Sequence, residues 1–98
     1  MHTSPITPVA TKLVTNLLAG LIARRETSTN DLRLACNWLF GAHLLASAIG
    51  DPKAMALLNR AEVELRNIAD RYGDELEVLA WLGNLLELIS ANGQEGRQ

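Results

Sequence analysis

The chain has 98 residues, of which 48% are hydrophobic and 20% are charged, and its formal net charge is -2 at pH 7. This length fits a single domain built around one core. Because a negative balance does not suit a protein that must neutralise a phosphate backbone, nucleic acid is disfavoured as a partner.

The first predicted element is a helix over residues 8–26, preceded by an N-terminal arm at residues 1–6. Thr7 is placed to cap the free amides of this helix, and Pro8 suits the first helical position because its φ is already helical. Its apolar positions cover more than half of the circumference, and they are Val9, Leu13, Val14, Leu17, Leu18, Leu21 and Ile22. One neighbouring helix does not need so wide an apolar arc.

A second helix is predicted over residues 29–49, where Ser28 followed by Asp31 resembles a capping box. Its broad apolar arc consists of Leu32, Leu34, Ala35, Cys36, Trp38, Leu39, Ala42, Leu45, Ala46 and Ile49. Phe40 and Leu44 lie on the opposite side. A helix that is apolar nearly all round is expected to be buried on several sides.

Gly50 ends the second helix, and Asp51 followed by Pro52 repeats the signal of a cap and then a proline. The third helix is predicted over residues 52–72, with one apolar stripe and one charged face. Gly73 follows it and can adopt the left-handed conformation that ends many helices.

Asp74 begins the fourth predicted helix, over residues 74–90. Its core face consists of Val78, Leu79, Leu82, Leu85, Leu86 and Ile89. We expect Asn92 and Gly93 to end it, and residues 92–98 to be a disordered tail, because this polar remainder has nothing with which to build a core.

The four predicted helices form one domain, residues 7–91, and no segment shows the alternation of a strand. Short turns favour antiparallel neighbours, so the predicted fold class is all-α, a small four-helix bundle. Three of the four helices are more apolar than a lone bundle requires. The sequence therefore predicts association, and we expect a homodimer.

Four residues are predicted to form the protein interface, because they break the pattern of their own helices. Phe40 and Leu44 are neighbours four residues apart on the otherwise polar side of the second helix. Trp81 and Leu88 are seven residues apart and border the polar edge of the fourth helix. Large apolar anchors ringed by polar groups are typical of binding hot spots.

The residues offer little chemistry. Cys36 and His43 share one side of the second helix, but two turns separate them by about 10 Å, which is too far for one metal ion with bonds of about 2 Å. The sequence has no phosphate-binding loop, zinc-finger spacing or nucleophile elbow. We therefore expect no catalytic residue, no metal, no cofactor and no enzymatic activity.

An alternative hypothesis is a small DNA-binding transcriptional regulator. Residues 42–60 resemble a helix-turn-helix, with Ala46 and Gly50 as the small residue and the turn glycine of that motif. Asp51 departs from the motif, because an apolar residue usually follows the turn glycine. Lys53 is the one basic side chain that opens the presumed recognition helix.

The sequence thus predicts a non-enzymatic, homo-oligomeric helical protein-interaction module, such as an adaptor, a chaperone-like factor or an inhibitor of a larger protein. Its protein partner is not identified by the residues. A structural subunit of a larger assembly is the third hypothesis.

A cytoplasmic location is expected for two reasons. Cys36 is the sole cysteine, so no intrachain disulfide can form, and residues 1–12 lack the basic and apolar regions of a signal peptide. The uncharged stretch at residues 34–50 is at the short limit for a membrane span and contains polar residues, so no membrane contact is expected.

Overall fold

Four α-helices make up nearly all of the computed structural model, which defines the backbone of residues 6–71 and 73–95 and the side chains of residues 9–71 and 73–91. They are α1 (Ile6–Ala23), α2 (Thr29–Ile49), α3 (Pro52–Ala69) and α4 (Glu75–Glu95). No strand occurs in these described ranges, and the predicted all-α four-helix bundle is confirmed.

The central helix of the bundle is α3, which packs against the three others. α1 also lies along α4 and touches α2 only marginally, while α2 and α4 make no contact with each other. The bundle measures 46 × 27 × 19 Å along its principal axes. α2 is therefore an edge helix, held in place almost entirely by α3.

The core is built from side chains that recur at helical spacing on all four helices. The largest fully buried side chains are Val14, Leu18, Leu32, Leu39, Leu65, Leu82 and Ile89. On α3, Ala54 and Ala61 are also fully buried. Their small side chains allow neighbouring helices to lie close to α3.

The predicted cap and end of α2 are present, and Asp74, the predicted first residue of the fourth helix, caps α4. Ser28 accepts a hydrogen bond from the backbone amide of Asp31 at 3.1 Å, and Gly50 ends α2 with a left-handed φ of 86°. Before α4, the Asp74 carboxylate accepts from the Glu77 amide at 2.9 Å, and the Glu77 carboxylate accepts from the Asp74 amide at 3.1 Å. This reciprocal pair is a capping box, and it satisfies two amides that the helix itself cannot.

Asp51 caps α3 from a buried position. Its Oδ1 accepts from the amides of Lys53 and Ala54, both at 3.1 Å, and Pro52 occupies the first turn. The carboxylate side chain thus stands between α2 and α3, where its relative exposure is only 6%. The turn that joins the two helices is thus formed by the Asp51 cap together with the left-handed Gly50.

We expect Asp51→Ala to lower the free energy of unfolding by about 1–2 kcal/mol, because two amides lose their acceptor. Asp51→Asn is the matched control, since its side-chain oxygen caps a helix about as well. Urea denaturation followed by circular dichroism measures both. Equal losses in the two variants would contradict a capping role.

The bounds of α1 differ from the predicted range 8–26. The backbone is already helical at Ile6, so Thr7 lies inside the first turn rather than before it. At the other end α1 stops at Ala23, because Arg25 adopts a left-handed φ of 55° and the next amides bond back to carbonyls of the last turn. This is the Schellman termination that glycine usually makes.

α3 and α4 also differ from their predicted ranges of 52–72 and 74–90. α3 ends at Ala69, where the amide of the following residue still bonds back to the last turn. α4 continues to Glu95, past the Asn92–Gly93 pair that was predicted to end it. Asparagine and glycine end a helix only where the backbone turns left-handed, and here it stays helical.

The predicted disordered tail at 92–98 is therefore wrong for residues 92–95, whose backbone continues α4. Residues 96–98 lie outside the described part of the chain. The same holds for residues 1–5 of the predicted N-terminal arm, whereas Ile6, its last predicted residue, belongs to α1.

Candidate interaction surface

One side of α2 exposes large apolar side chains, and we call these six residues the outward face. They are Leu34 (64% exposed), Trp38 (47%), Phe40 (49%), Leu44 (53%), Leu45 (64%) and Ile49 (55%). Each is about half exposed or more. They account for more than half of the large apolar residues that the described part of the chain exposes.

The outward face consists of two rows. At 100° per residue, Leu34, Trp38, Leu45 and Ile49 align in the first row. Phe40 and Leu44 form the second row, on the other flank of the helix. Between the rows lie the exposed residues Asn37, Gly41 and Ala48. A Cβ built on Gly41 has no neighbouring heavy atom within 4 Å, apart from the backbone of its own helix.

The position of α2 at the edge of the bundle explains why these residues are exposed. The buried residues of α2 are Leu32, Ala35, Cys36, Leu39 and Ala46, which form a single stripe. α3 covers this stripe, and neither α1 nor α4 reaches the opposite side. The side of α2 that faces away from α3 is therefore exposed to solvent, although it is largely apolar.

Charge is absent from the outward face. Between Leu34 and Ile49 the sequence contains no aspartate, glutamate, lysine or arginine. At its N-terminal rim Arg33 forms an ion pair at 3.4 Å with Asp70, the residue that follows α3. Depletion of charged residues at an apolar centre, with charged residues at the rim, is a composition that is common at protein interfaces.

Trp81 and Leu88, the other predicted interface pair, lie elsewhere and are only partly exposed. Both pack against the hydrophobic core. They line a groove between α3 and α4 with a volume of about 200 Å³, together with Glu64, Ile68, Arg71, Asn84 and Leu85. The Arg71 guanidinium lies 4.7 Å from the centre of the Trp81 ring, which is a cation–π contact.

The structure does not bring the two predicted pairs together, because α2 and α4 are not in contact. It also exposes residues that the sequence assigned to the covered arc of α2, namely Leu34, Trp38, Leu45 and Ile49. Their spacing at i, i+4, i+11 and i+15 shows that they form a row separate from the core stripe, but it does not show which of the two faces α3.

Cys36 is buried beneath the other side of α2, with its Sγ 4.0 Å from the carbonyl oxygen of Glu62. Burial raises the pKa of the Cys36 thiol, while the charges of Arg66 and Glu62 act there in opposite directions. Glu62 is itself buried and forms an ion pair with Arg66. A protonated, covered thiol is a poor nucleophile.

No group of three or more histidine, cysteine, aspartate or glutamate side chains converges as a metal site within the described residues. Of the described helices, α2 alone is long and apolar enough to cross a membrane by length and composition, and 28% of its most apolar stretch is buried. No protein-family model, curated protein or solved structure matches the chain.

Proposed function

We propose that this chain is a non-enzymatic protein-interaction module that works as a homo-oligomer, in the manner of an adaptor, a chaperone-like factor or an inhibitor of a larger protein. The observation that carries the proposal is the outward face of α2, where six large apolar side chains are each about half exposed on one helix. Contiguous apolar patches of several hundred Å² mark interaction sites on soluble proteins.

The free energy expected from covering these exposed side chains supports this assignment. Covering about 100 Å² of a half-exposed leucine or phenylalanine contributes about 2.5 kcal/mol at roughly 25 cal/mol per Å². Six such residues contribute about 15 kcal/mol before any cost, against roughly 4–15 kcal/mol for the translational and rotational freedom lost on association. Leu76 is the one exposed large apolar residue of α4 among the described residues, so covering it offers the gain of a single side chain.

The test replaces Phe40 and Leu44 with serine in the full-length chain. Because both side chains are about half exposed, we expect the helical circular dichroism spectrum to stay near that of the parent. Self-association, measured by sedimentation equilibrium against the monomer mass of 10.7 kDa, should weaken at least tenfold. The double variant should also fail to capture the proteins that the tagged parent captures from an extract of cells that produce the chain.

Leu76→Ser is the matched control, since Leu76 is 69% exposed and lies on α4, away from the outward face. It should change neither association nor capture. Trp81→Ser with Leu88→Ser should instead lower the melting temperature, because both side chains pack on the core. The proposal fails if the Phe40–Leu44 double variant associates and captures proteins as the parent does.

A further inference from the structure

We propose that the outward face of α2 is covered by the α2 of a second copy of this chain, in an antiparallel two-fold pair centred between Gly41 and Ala42. This inference rests on the proposed function, since it names the partner of that same surface.

The large residues of the outward face are spaced almost symmetrically along α2. Leu34 and Ile49 lie equally far from the point between Gly41 and Ala42, and so do Trp38 and Leu45. Phe40 and Leu44 are symmetric about a point half a residue away. In a two-fold interface residue i of one copy meets residue j of the other, and j meets i. Every large exposed side chain of α2 then has a large apolar counterpart.

In this arrangement each row packs against the same row of the other copy. A two-fold axis perpendicular to a pair of antiparallel helices places each flank against the same flank of the other copy. The first row therefore pairs Leu34 with Ile49 and Trp38 with Leu45. The second row pairs Phe40 with Leu44 on the opposite flank. No large side chain is left facing water between the helices.

The centre of the pair is open enough for close approach. Gly41 has no side chain, and its surroundings are empty within 4 Å outside its own helix backbone. Ala48 is also small and exposed. Helix axes approach most closely where the contact residues are small, and the larger side chains of the two rows then interlock on either side.

Charge distinguishes the antiparallel from the parallel pairing. The charged residues of α2, Asp31 and Arg33, both lie in its N-terminal turns. A parallel pair would bring each close to its own copy, with like charges facing each other. An antiparallel pair places them beside the uncharged C-terminal end of the partner helix, and it also opposes the two helix dipoles favourably.

The area is compatible with a stable dimer. The six side chains of the outward face together expose on the order of 600 Å² of apolar surface, against roughly 800 Å² per partner in a standard interface. Asn37, Gly41 and Ala48 between the rows, together with the polar rim, supply further contact area.

The first experiment measures the dissociation constant of the full-length chain by sedimentation equilibrium. We expect a dimer of two 10.7 kDa chains at micromolar concentration. Gly41→Gln should raise the dissociation constant at least about 30-fold, because a two-fold centre meets the added side chain twice. Gly83→Gln on α4 is the matched control, since Gly83 also has open surroundings. Helical content should be unchanged in both.

The second experiment tests the register by cross-linking single cysteines with copper phenanthroline, in a Cys36→Ala background. Gly41→Cys should form a disulfide between copies, because the two residues lie at the centre. Ala48→Cys alone should not, because its two copies lie roughly 20 Å apart along the axis. A mixture of Leu34→Cys and Ala48→Cys chains should form the mixed disulfide.

Each other outcome overturns the inference. Self-cross-linking of Ala48→Cys would indicate a parallel pair, and a mass that keeps rising with concentration would indicate an open assembly. A monomeric parent that co-sediments with phosphatidylcholine vesicles would assign the face to a membrane surface. A dimer unaffected by Gly41→Gln would place self-association elsewhere and leave the proposed function standing. A monomeric parent that binds no vesicles, with capture unaffected in the Phe40–Leu44 variant, would contradict both the antiparallel pair and the proposed function.

Discussion

Leu65→Ala is expected to lower the free energy of unfolding by about 3 kcal/mol or more. Leu65 is fully buried in the C-terminal half of α3, the helix that contacts the three others. Shortening it removes apolar surface from the core and leaves a cavity that three rigid neighbours cannot all close.

Urea denaturation at one fixed protein concentration measures this loss, since association would otherwise shift the apparent stability. Leu76→Ala is the control, because Leu76 is 69% exposed and should change stability by no more than about 0.5 kcal/mol. Similar changes in the two variants would show that α3 is not the centre of the core.

The sequence predicted the fold class and most helix starts because those depend on local chemistry. Ser28, Asp51 and Asp74 each accept hydrogen bonds from amides that begin a helix, as their positions before apolar runs predicted. Gly50 ends α2 in the left-handed conformation that glycine adopts without steric cost. Each of these capping interactions lies within four consecutive residues, so a short stretch of sequence is enough to predict it.

The helix ends were less predictable, because more than one backbone conformation suits the same residues. Arg25 takes the left-handed position at the end of α1 although arginine pays a steric penalty there. Its Nη1 forms an ion pair with Glu75 at 3.0 Å, a contact fifty residues away that no local pattern contains. Conversely, the Asn92–Gly93 pair has the right composition for a helix end, yet α4 continues through it.

The outward face could be predicted only in part. Phe40 and Leu44 were singled out because polar residues surround them, and both are exposed. Leu34 and Leu39 are the same residue type on the same helix, yet one is 64% exposed and the other fully buried. That difference depends on which side of α2 meets α3, and the packing order of the helices is not encoded in the pattern of one helix.

The partial burial of Trp81 and Leu88 was likewise not predictable from the pattern of α4 alone. The pattern of α4 places Trp81 and Leu88 at the edge of its core face, where exposure and burial are equally compatible with the spacing. α3 decides between them, because Ile68 and Arg71 lie against the flank that carries both side chains. The two predicted pairs therefore have different surroundings, and truncating them should have different consequences.

Gly73→Ala is expected to destabilise the protein by about 1–3 kcal/mol, because a β-carbon there meets a ring that cannot easily move. The added atom would lie 2.6 Å from Cη2 and 2.9 Å from Cζ3 of Trp81, and 3.1 Å from Oε1 of Glu77. Arg71 covers the same indole ring, and Glu77 holds the capping box before α4. Relieving the contact must therefore disturb the groove or the helix start.

Gly83→Ala is the control that separates crowding from the general effect of adding a methyl group. Gly83 lies inside α4 with open surroundings, so alanine there should stabilise the protein by about 0.5–1 kcal/mol through helix propensity alone. Urea denaturation gives both free energies, and tryptophan fluorescence in a Trp38→Phe background reports on Trp81 directly. A Gly73→Ala variant that is as stable as the parent and has the same Trp81 fluorescence would show that the Trp81 ring does not pack against residue 73. An indole ring that has not moved and a new β-carbon cannot occupy the same space.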